Sequence, residues 1–333
     1  MNTPSNRRTF LKKSAAAAVS APLLMSLEEY ALAGQGGGAS PPPARPASKA
    51  ALPAAAIGKV NISRLICGGN LINGYAHSRD LIYVSTLLQH YFTDDKILQT
   101  WSLCEQHGIN TMILHPGEAR AVNLYQKYRA QGGRIQYIAQ IEPAKNDLLT
   151  EVLRARDAGA VGAFLVGNLG DAWTRDGDVK LIGQLLSNIK AQGLIAGVAG
   201  HELRTVQTVE KAGLAPDFYM KTLHDTNYWS SRRPDQLKEV IDNYAVDNYW
   251  CKDPKETIAF MSEVDRPWIA YKVLAAGAID PRAGFKHAYE NGADFAAVGM
   301  FDFQIADDVA VAGAILKTTQ NRDRKWFGST KPS

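Results

Sequence analysis

The stretches Asp217-Phe-Tyr-Met-Lys221-Thr222 and Trp268-Ile-Ala-Tyr-Lys272-Val273 decide how this chain reads. Each is a short, β-rich apolar run with a lysine at the same place, and each leads into a turn. Working outward, further strand runs fall at Ile62–Cys67, Thr111–Leu114, Ile135–Ile141, Gly162–Val166, Leu194–Ala199 and Phe295–Val298. Helical stretches lie between them, at Asp95–His107, Leu148–Ala158, Lys180–Gln192, Leu203–Ala212, Pro254–Val264 and Pro281–Asn291. Gly108, Gly159, Gly193, Gly213 and Gly292 follow helices as left-handed stops. Strands that alternate with helices close into parallel sheets, so these units specify an α/β fold: a single (β/α)8 TIM barrel. Its first and sixth strand–helix loops, from Asn70 to Thr93 and from His224 to Pro254, are long. A doubly wound sheet would ordinarily carry G-x-G-x-x-G after its first strand, and that turn here reads Cys67-Gly-Gly-Asn70.

The ends carry a different message. Arg7-Arg8-Thr9-Phe10-Leu11-Lys12 is a twin-arginine export motif, followed by a mild apolar stretch and Ala31-Leu-Ala33 as a cleavage site. Residues 1–33 therefore read as a signal peptide, 34–57 as a flexible Gly/Pro/Ala linker, 58–320 as the barrel and 321–333 as a basic tail. The expected location is the periplasm or another exported site, with the twin-arginine machinery as partner and no stable membrane span. The composition, 46% hydrophobic and 21% charged with net charge +4, is that of an ordinary globular protein and gives no case for nucleic-acid binding. Three cysteines, Cys67, Cys104 and Cys251, make neither a disulfide scaffold nor a metal finger.

Barrel enzymes place chemistry at the C-terminal ends of their strands. Those ends supply Asn70, His115, Gln140, Glu142, Asn168, His201, Lys221, His224, Asp225, Lys272 and Asp302. Three of the seven histidines fall in this set. Each member also has a plain structural reading: His115 before Pro116 can cap a strand end, His201 can cap the following helix, and the lysines can pair with Glu142 and Asp302. Trp229 and other aromatic residues of the long loops suit the C–H faces of sugar rings, or pack those loops onto the rim.

Several stretches resemble known barrels. Ile62-Ser-Arg-Leu-Ile-Cys-Gly-Gly-Asn70 and Gly108-Ile-Asn110 resemble the opening of the aldo-keto reductases. That family then runs into Asp-Thr-Ala and a catalytic tyrosine, whereas this chain reads Thr111-Met-Ile-Leu-His115-Pro, so nicotinamide chemistry is a minor alternative. The two lysine runs resemble the paired-lysine strands of deoxyribose-phosphate aldolase. The resemblance implies a Schiff base on one lysine, with the other depressing its pKa. Ala275-Ala-Gly277, Gly292-Ala-Asp294 and Val298-Gly-Met300 resemble the phosphate cradle of such barrels. Over the whole body, Phe218-Tyr-Met-Lys-Thr-Leu-His224, Lys272-Val-Leu-Ala-Ala-Gly-Ala-Ile279 and Gly299-Met-Phe-Asp-Phe303 are similar to a family of twin-arginine-exported bacterial barrels. That likeness implies the fold and the export and brings no reaction with it.

Two chemistries follow for a small carbonyl or carbohydrate-type substrate. In the first, Glu142, His201 and His224, with His115, hold a divalent Zn, Mn, Fe or Co ion, and Lys221 and Lys272 serve an isomerase, epimerase or lyase. In the second, Lys221 forms a Schiff base modulated by Lys272, with no metal. Asn70, Gln140, Asn168, Asp225, Trp229 and Asp302 would bind substrate in either case. A ligand-binding barrel without catalysis is the third reading.

Overall fold

Strand residues that are buried on both faces cannot alternate polar with apolar, and here they do not. In a computed structural model that describes residues 52–77, 81, 83–231, 251–319 and 322–327, eight short apolar strands close into one parallel barrel. They are β3 (Leu65–Cys67), β4 (Thr111–Leu114), β5 (Gln136–Ile141), β6 (Gly162–Leu165), β7 (Ile195–Gly200), β8 (Phe218–Thr222), β9 (Trp268–Tyr271) and β10 (Phe295–Val298). Each neighbours the next in sequence, and β10 pairs with β3 to complete the ring. All eight expected strands are present, with ends shifted by a residue or two, or by three at the end of β9. The expected first strand is split: its start, Ile62 and Ser63, belongs to an antiparallel hairpin of β1 (Ala54–Ile57) and β2 (Val60–Ser63). Thus Ala54–Ile57, at the end of the stretch read as linker, is strand.

The pleat sorts side chains into two cores. Ile66, Ile113, Ile138, Phe164, Phe218 and Ile269 point into the lumen, and Ile57 and Ile62 of the hairpin join them to close one end. The alternate residues, such as Tyr137, Tyr219 and Trp268, pack outward under the helices. Those helices include α1 (Tyr83–Tyr91), α2 (Asp94–Gln106), α3 (Ala119–Ala130), α4 (Thr150–Asp157) and α5 (Gly167–Asp176). There follow α6 (Val179–Ala191), α7 (Leu203–Lys211), α8 (Pro254–Glu263), α9 (Pro281–Glu290) and α10 (Ile305–Thr318). The five glycines expected to stop helices all adopt positive φ.

The described part of the basic C-terminal stretch is docked against the barrel. Asp294, fully buried just before β10, accepts hydrogen bonds from Arg322 at 2.7 Å and Arg324 at 2.6 Å. It also accepts from the backbone N–H groups of Trp268 and Phe327, both at 3.0 Å. Trp326 lies between the guanidinium groups of Arg64 and Arg322, 4.3 and 3.4 Å from its ring centroid. No helix among the described residues is long and apolar enough to cross a membrane. The twin-arginine motif, Tyr244, Tyr249 and Trp250 lie outside the described residues.

Candidate active site

A cleft opens at the C-terminal ends of β3, β9 and β10, enclosing about 1030 Å³ of non-atom space when its solvent-open part is counted. Its walls come close together because glycine lines them. A Cβ on Gly68 would lie 2.8 Å from the backbone nitrogen of Gly299, and one on Gly69 would lie 2.5 Å from the carbonyl oxygen of Ile113. The floor is apolar, with Ile113, Met220, Ala297 and Val298, and against it stand Asn70, His77, Gln140, Tyr271 and Lys272. The Asn70 amide lies 2.5 Å from Nε2 of His77. Few convergent polar groups over an apolar floor is the usual form of a small-molecule site.

The end of β9 shapes this cleft. Inward alternation from Ile269 brings the Tyr271 ring to the lumen side, and by parity Lys272 would then point outward. The backbone changes that. Lys272 takes φ +58°, followed by Ala275 at +45°, Ala276 at +55° and Gly277 at +89°. Three left-handed non-glycine residues in five positions hold strain of about 1–3 kcal/mol each, and the segment they bend lines the cleft.

Behind Tyr271 lies a second group of polar residues. Asp171 of α5 is fully buried. It accepts hydrogen bonds from Nδ1 of His201 at 2.8 Å, from Thr205 Oγ1 at 2.7 Å, and from the backbone N–H groups of His201 and Glu202. With four donors converging on it, the carboxylate acts as acceptor to His201, which places the His201 proton on Nδ1. The His201 and Tyr271 rings lie 5.5 Å apart. Gly167, the first residue of α5, makes room for both: a Cβ there would lie 2.6 Å from the Tyr271 hydroxyl and 2.8 Å from Cε1 of His201. Burial lowers the pKa of His201 against the opposing effect of its hydrogen bond to Asp171, and the charges of Lys272 and Lys221 lower it further. Burial pushes the Tyr271 phenol well up, so it stays protonated. Its hydroxyl is buried with no hydrogen-bond partner among the described residues, as is Oδ1 of Asn168.

The expected site residues separate into groups. Asn70, Gln140 and Lys272 line the cleft. Lys221 does not: it shares the outward face of Tyr219 and is buried, its ammonium donating to Thr222 Oγ1 at 2.8 Å and to the Thr222 carbonyl at 3.1 Å. Burial lowers its pKa. Of the four residues expected to ligate a metal, only His115 and Glu142 are brought together. His115 pairs with Glu142 at 3.4 Å, and that contact raises its pKa against burial. His201 is held by Asp171. His224 takes the backbone N–H of Cys251 on Nε2 at 2.6 Å, and its Nδ1 faces the carbonyl of Asp225 at 2.7 Å. Both ring nitrogens of His224 are occupied within its own loop, and no group of three or more His, Cys, Asp or Glu side chains among the described residues is arranged to hold a metal ion. Asp225 is exposed, with Oδ1 accepting from the Asn227 backbone. Trp229 is 87% exposed. Asp302 is engaged by Lys96 at 2.9 Å and by the Tyr91 hydroxyl.

Sequence reasoning missed Tyr271, Asp171 and Gly167, and it placed His77 only among the rings of the first long loop. Tyr271 was within reach, since counting by twos from Ile269 gives it the inward place. Asp171 sits on α5, a short helix with polar residues through most of its length, and nothing local marks it as the partner of His201, 30 residues on.

No family model and no curated protein matches this sequence. Among solved structures, the chain is similar to two structures from Pseudomonas aeruginosa, each described as an aldo-keto reductase. The TM-scores are 0.51 and 0.52 at 17% identity, over 79% of this chain and 94% of that one. A truncated 3-deoxy-D-arabino-heptulosonate 7-phosphate synthase of Thermotoga maritima gives a TM-score of 0.47 at 8% identity, over 82% and 95% of the two chains. Likeness at this level is likeness of fold: the chain is a TIM barrel.

Proposed function

We propose that this protein is an enzyme acting on a small carbonyl or carbohydrate-type substrate, a lyase or isomerase in which Lys272 is the reacting amine. The observation that carries this reading is the position of Lys272, turned by a left-handed backbone at the end of β9 so that it lines the cleft beside Tyr271. An unprotonated lysine amine is the nucleophile such a reaction requires. Attack on a substrate carbonyl forms the carbon–nitrogen double bond of an imine and releases the carbonyl oxygen as water, and the imine then withdraws electrons from the adjacent carbon. Lys221 does not line the cleft, and its amine is held by Thr222, so this reading gives it no covalent role. The divalent-metal reading has less support, because its expected ligands are engaged separately. The Arg7-Arg8 motif supports export of the folded protein.

The test is borohydride trapping with a panel of small aldehydes and ketones. The expected result is a covalent adduct on the peptide that contains Lys272, absent from Lys272→Met. Activity that is lost on chelation and restored by Mn, Zn or Co, with no adduct, would return the assignment to a metal-dependent enzyme. Ligand binding with neither turnover nor adduct would make this a binding protein.

A further inference from the structure

We propose that His201 and Tyr271 form a proton-transfer pair for the reaction in this cleft, with His201 as base, Tyr271 as hydrogen-bond donor to the developing oxyanion, and Asp171 as the positioning residue. The inference rests on reading the cleft as an active site, and it adds three residues outside the lysine chemistry.

Three observations converge on it. First, the Tyr271 ring lines the cleft while its hydroxyl is buried without a partner among the described residues. An unsatisfied buried hydroxyl costs about 1–3 kcal/mol, a cost removed when a bound group accepts its proton. Second, His201 is held by a carboxylate that is fully buried and bonded by four donors, which orients the ring with Nδ1–H toward Asp171. Nε2 is then left with its lone pair, on a side chain that is still 13% exposed. Third, glycine at position 167 lets the Tyr271 hydroxyl and the Cε1–Nδ1 edge of the His201 ring approach one backbone position, where a Cβ would lie 2.6 Å from the hydroxyl and 2.8 Å from Cε1. Asn168 Oδ1, another buried polar atom without a hydrogen-bond partner among the described residues, is on the next residue, at the N-terminus of the ten-residue helix α5. A helix N-terminus favours negative charge beside it.

The chemistry follows from the protonation states. Around His201 stand Asp171 from α5, Tyr271 from β9, Lys272 just beyond it and Lys221 from β8, with neighbouring Glu202 engaged by Arg175 at 2.8 Å. A neutral imidazole with a free Nε2 takes a proton from the carbon next to a carbonyl or imine. The carbon–hydrogen bond breaks, a nitrogen–hydrogen bond forms, and the electron pair moves into the enediolate or enamine. Negative charge on oxygen is met by the Tyr271 hydroxyl, and the imidazolium is balanced by Asp171. No oxidant or co-reactant enters, and return of the proton completes the cycle.

Dihydroxyacetone in D2O supplies a probe that reads this step without knowledge of the natural substrate. The wild-type chain is expected to exchange α-hydrogen for deuterium above the buffer rate, followed by NMR. Tyr271→Phe and His201→Gln should each lower exchange by about 100-fold or more while KM changes less than about threefold. Asp171→Asn should move the acidic limb of the pH–exchange profile and change the His201 tautomer seen by 15N NMR. Because Asp171 has four donors, its variant is compared with the wild type by thermal melt, and the tautomer of His201 in the wild type stands as an independent reading. Exchange at the wild-type rate in Tyr271→Phe and His201→Gln overturns the pair, as does a His201 proton on Nε2 at neutral pH. Borohydride trapping at Lys272 without exchange overturns the pair and leaves the lysine reading intact. Exchange without trapping does the reverse, and absence of both removes both.

Discussion

Lys221 and Lys272, two residues apart in the β8–β9 register, have different surroundings: Lys221 is buried and bonded to Thr222, and Lys272 lines the cleft. Lys221 pairs with Ala270, and Thr222 with Tyr271, so Lys272 extends one residue past the ladder. Lys221 follows the pleat to the helix layer beside Tyr219, whose hydroxyl is bonded to Glu210 of α7. Lys272 escapes the pleat through its positive φ and lines the cleft. Two lysines that look equivalent in sequence therefore have different surroundings and different expected roles.

Methionine at the two positions should separate them. Lys272→Met is expected to abolish turnover with a melting temperature close to wild type. Lys221→Met is expected to keep turnover within about tenfold and to equal or raise stability, because an apolar group of similar volume removes a buried amine. A base whose folded pKa is depressed weighs against folding at low pH, and that burden is relieved as pH rises toward the unfolded value, so the gain from Lys221→Met should be largest at low pH. Melts across pH together with kcat for both variants check this, and a Lys221→Met protein without turnover would restore the paired-lysine reading.

Gly167→Ala inserts a methyl group 2.6 Å from the Tyr271 hydroxyl and 2.8 Å from the His201 ring. One or both rings must move. A stability loss of about 1–3 kcal/mol is expected from overpacking, with a fall in turnover of about 100-fold or more. Full activity in this variant, measured beside its denaturation midpoint, would show that the two rings need not face each other.

Asp294→Asn leaves Arg322 and Arg324 buried without their carboxylate. Removal of one member of a buried ionic group costs about 3–5 kcal/mol. That corresponds to a fall in melting temperature of about 10 °C for a body of this size. Differential scanning calorimetry checks it, and an unchanged melt would mean that the C-terminal stretch contributes little to the fold.

Asp308 gives the clearest pH signature. Burial beside Asp307 and Asp280 raises its pKa to about 7. A carboxyl whose folded pKa lies above its unfolded value leaves stability intact below the unfolded pKa and removes it as pH rises through the folded one. Stability attributable to Asp308 should thus decline between about pH 4 and pH 7, by a loss of order 4 kcal/mol at most. Asp308→Asn should flatten that slope in urea melts taken at several pH values. An unchanged slope would mean the carboxyl is hydrated.

The sequence by itself determined the barrel. Short β-rich runs alternate with helices that end at glycine, and these local signals agree at nearly every unit, so eight strands were legible to within a residue or two at nearly every end. It also named Asn70, Gln140 and Lys272, because the end of a strand in such a fold is already a place on the catalytic face. Only the tertiary structure decided which lysine lines the cleft. The parity of a strand is fixed when register and closure are fixed, and one left-handed residue after β9 reverses it. Only the tertiary structure, likewise, kept Glu142, His201 and His224 apart and joined His201 to Asp171 and Tyr271. Coordination and proton transfer depend on distances of a few ångströms between residues far apart in the chain, and no local pattern of residues encodes them.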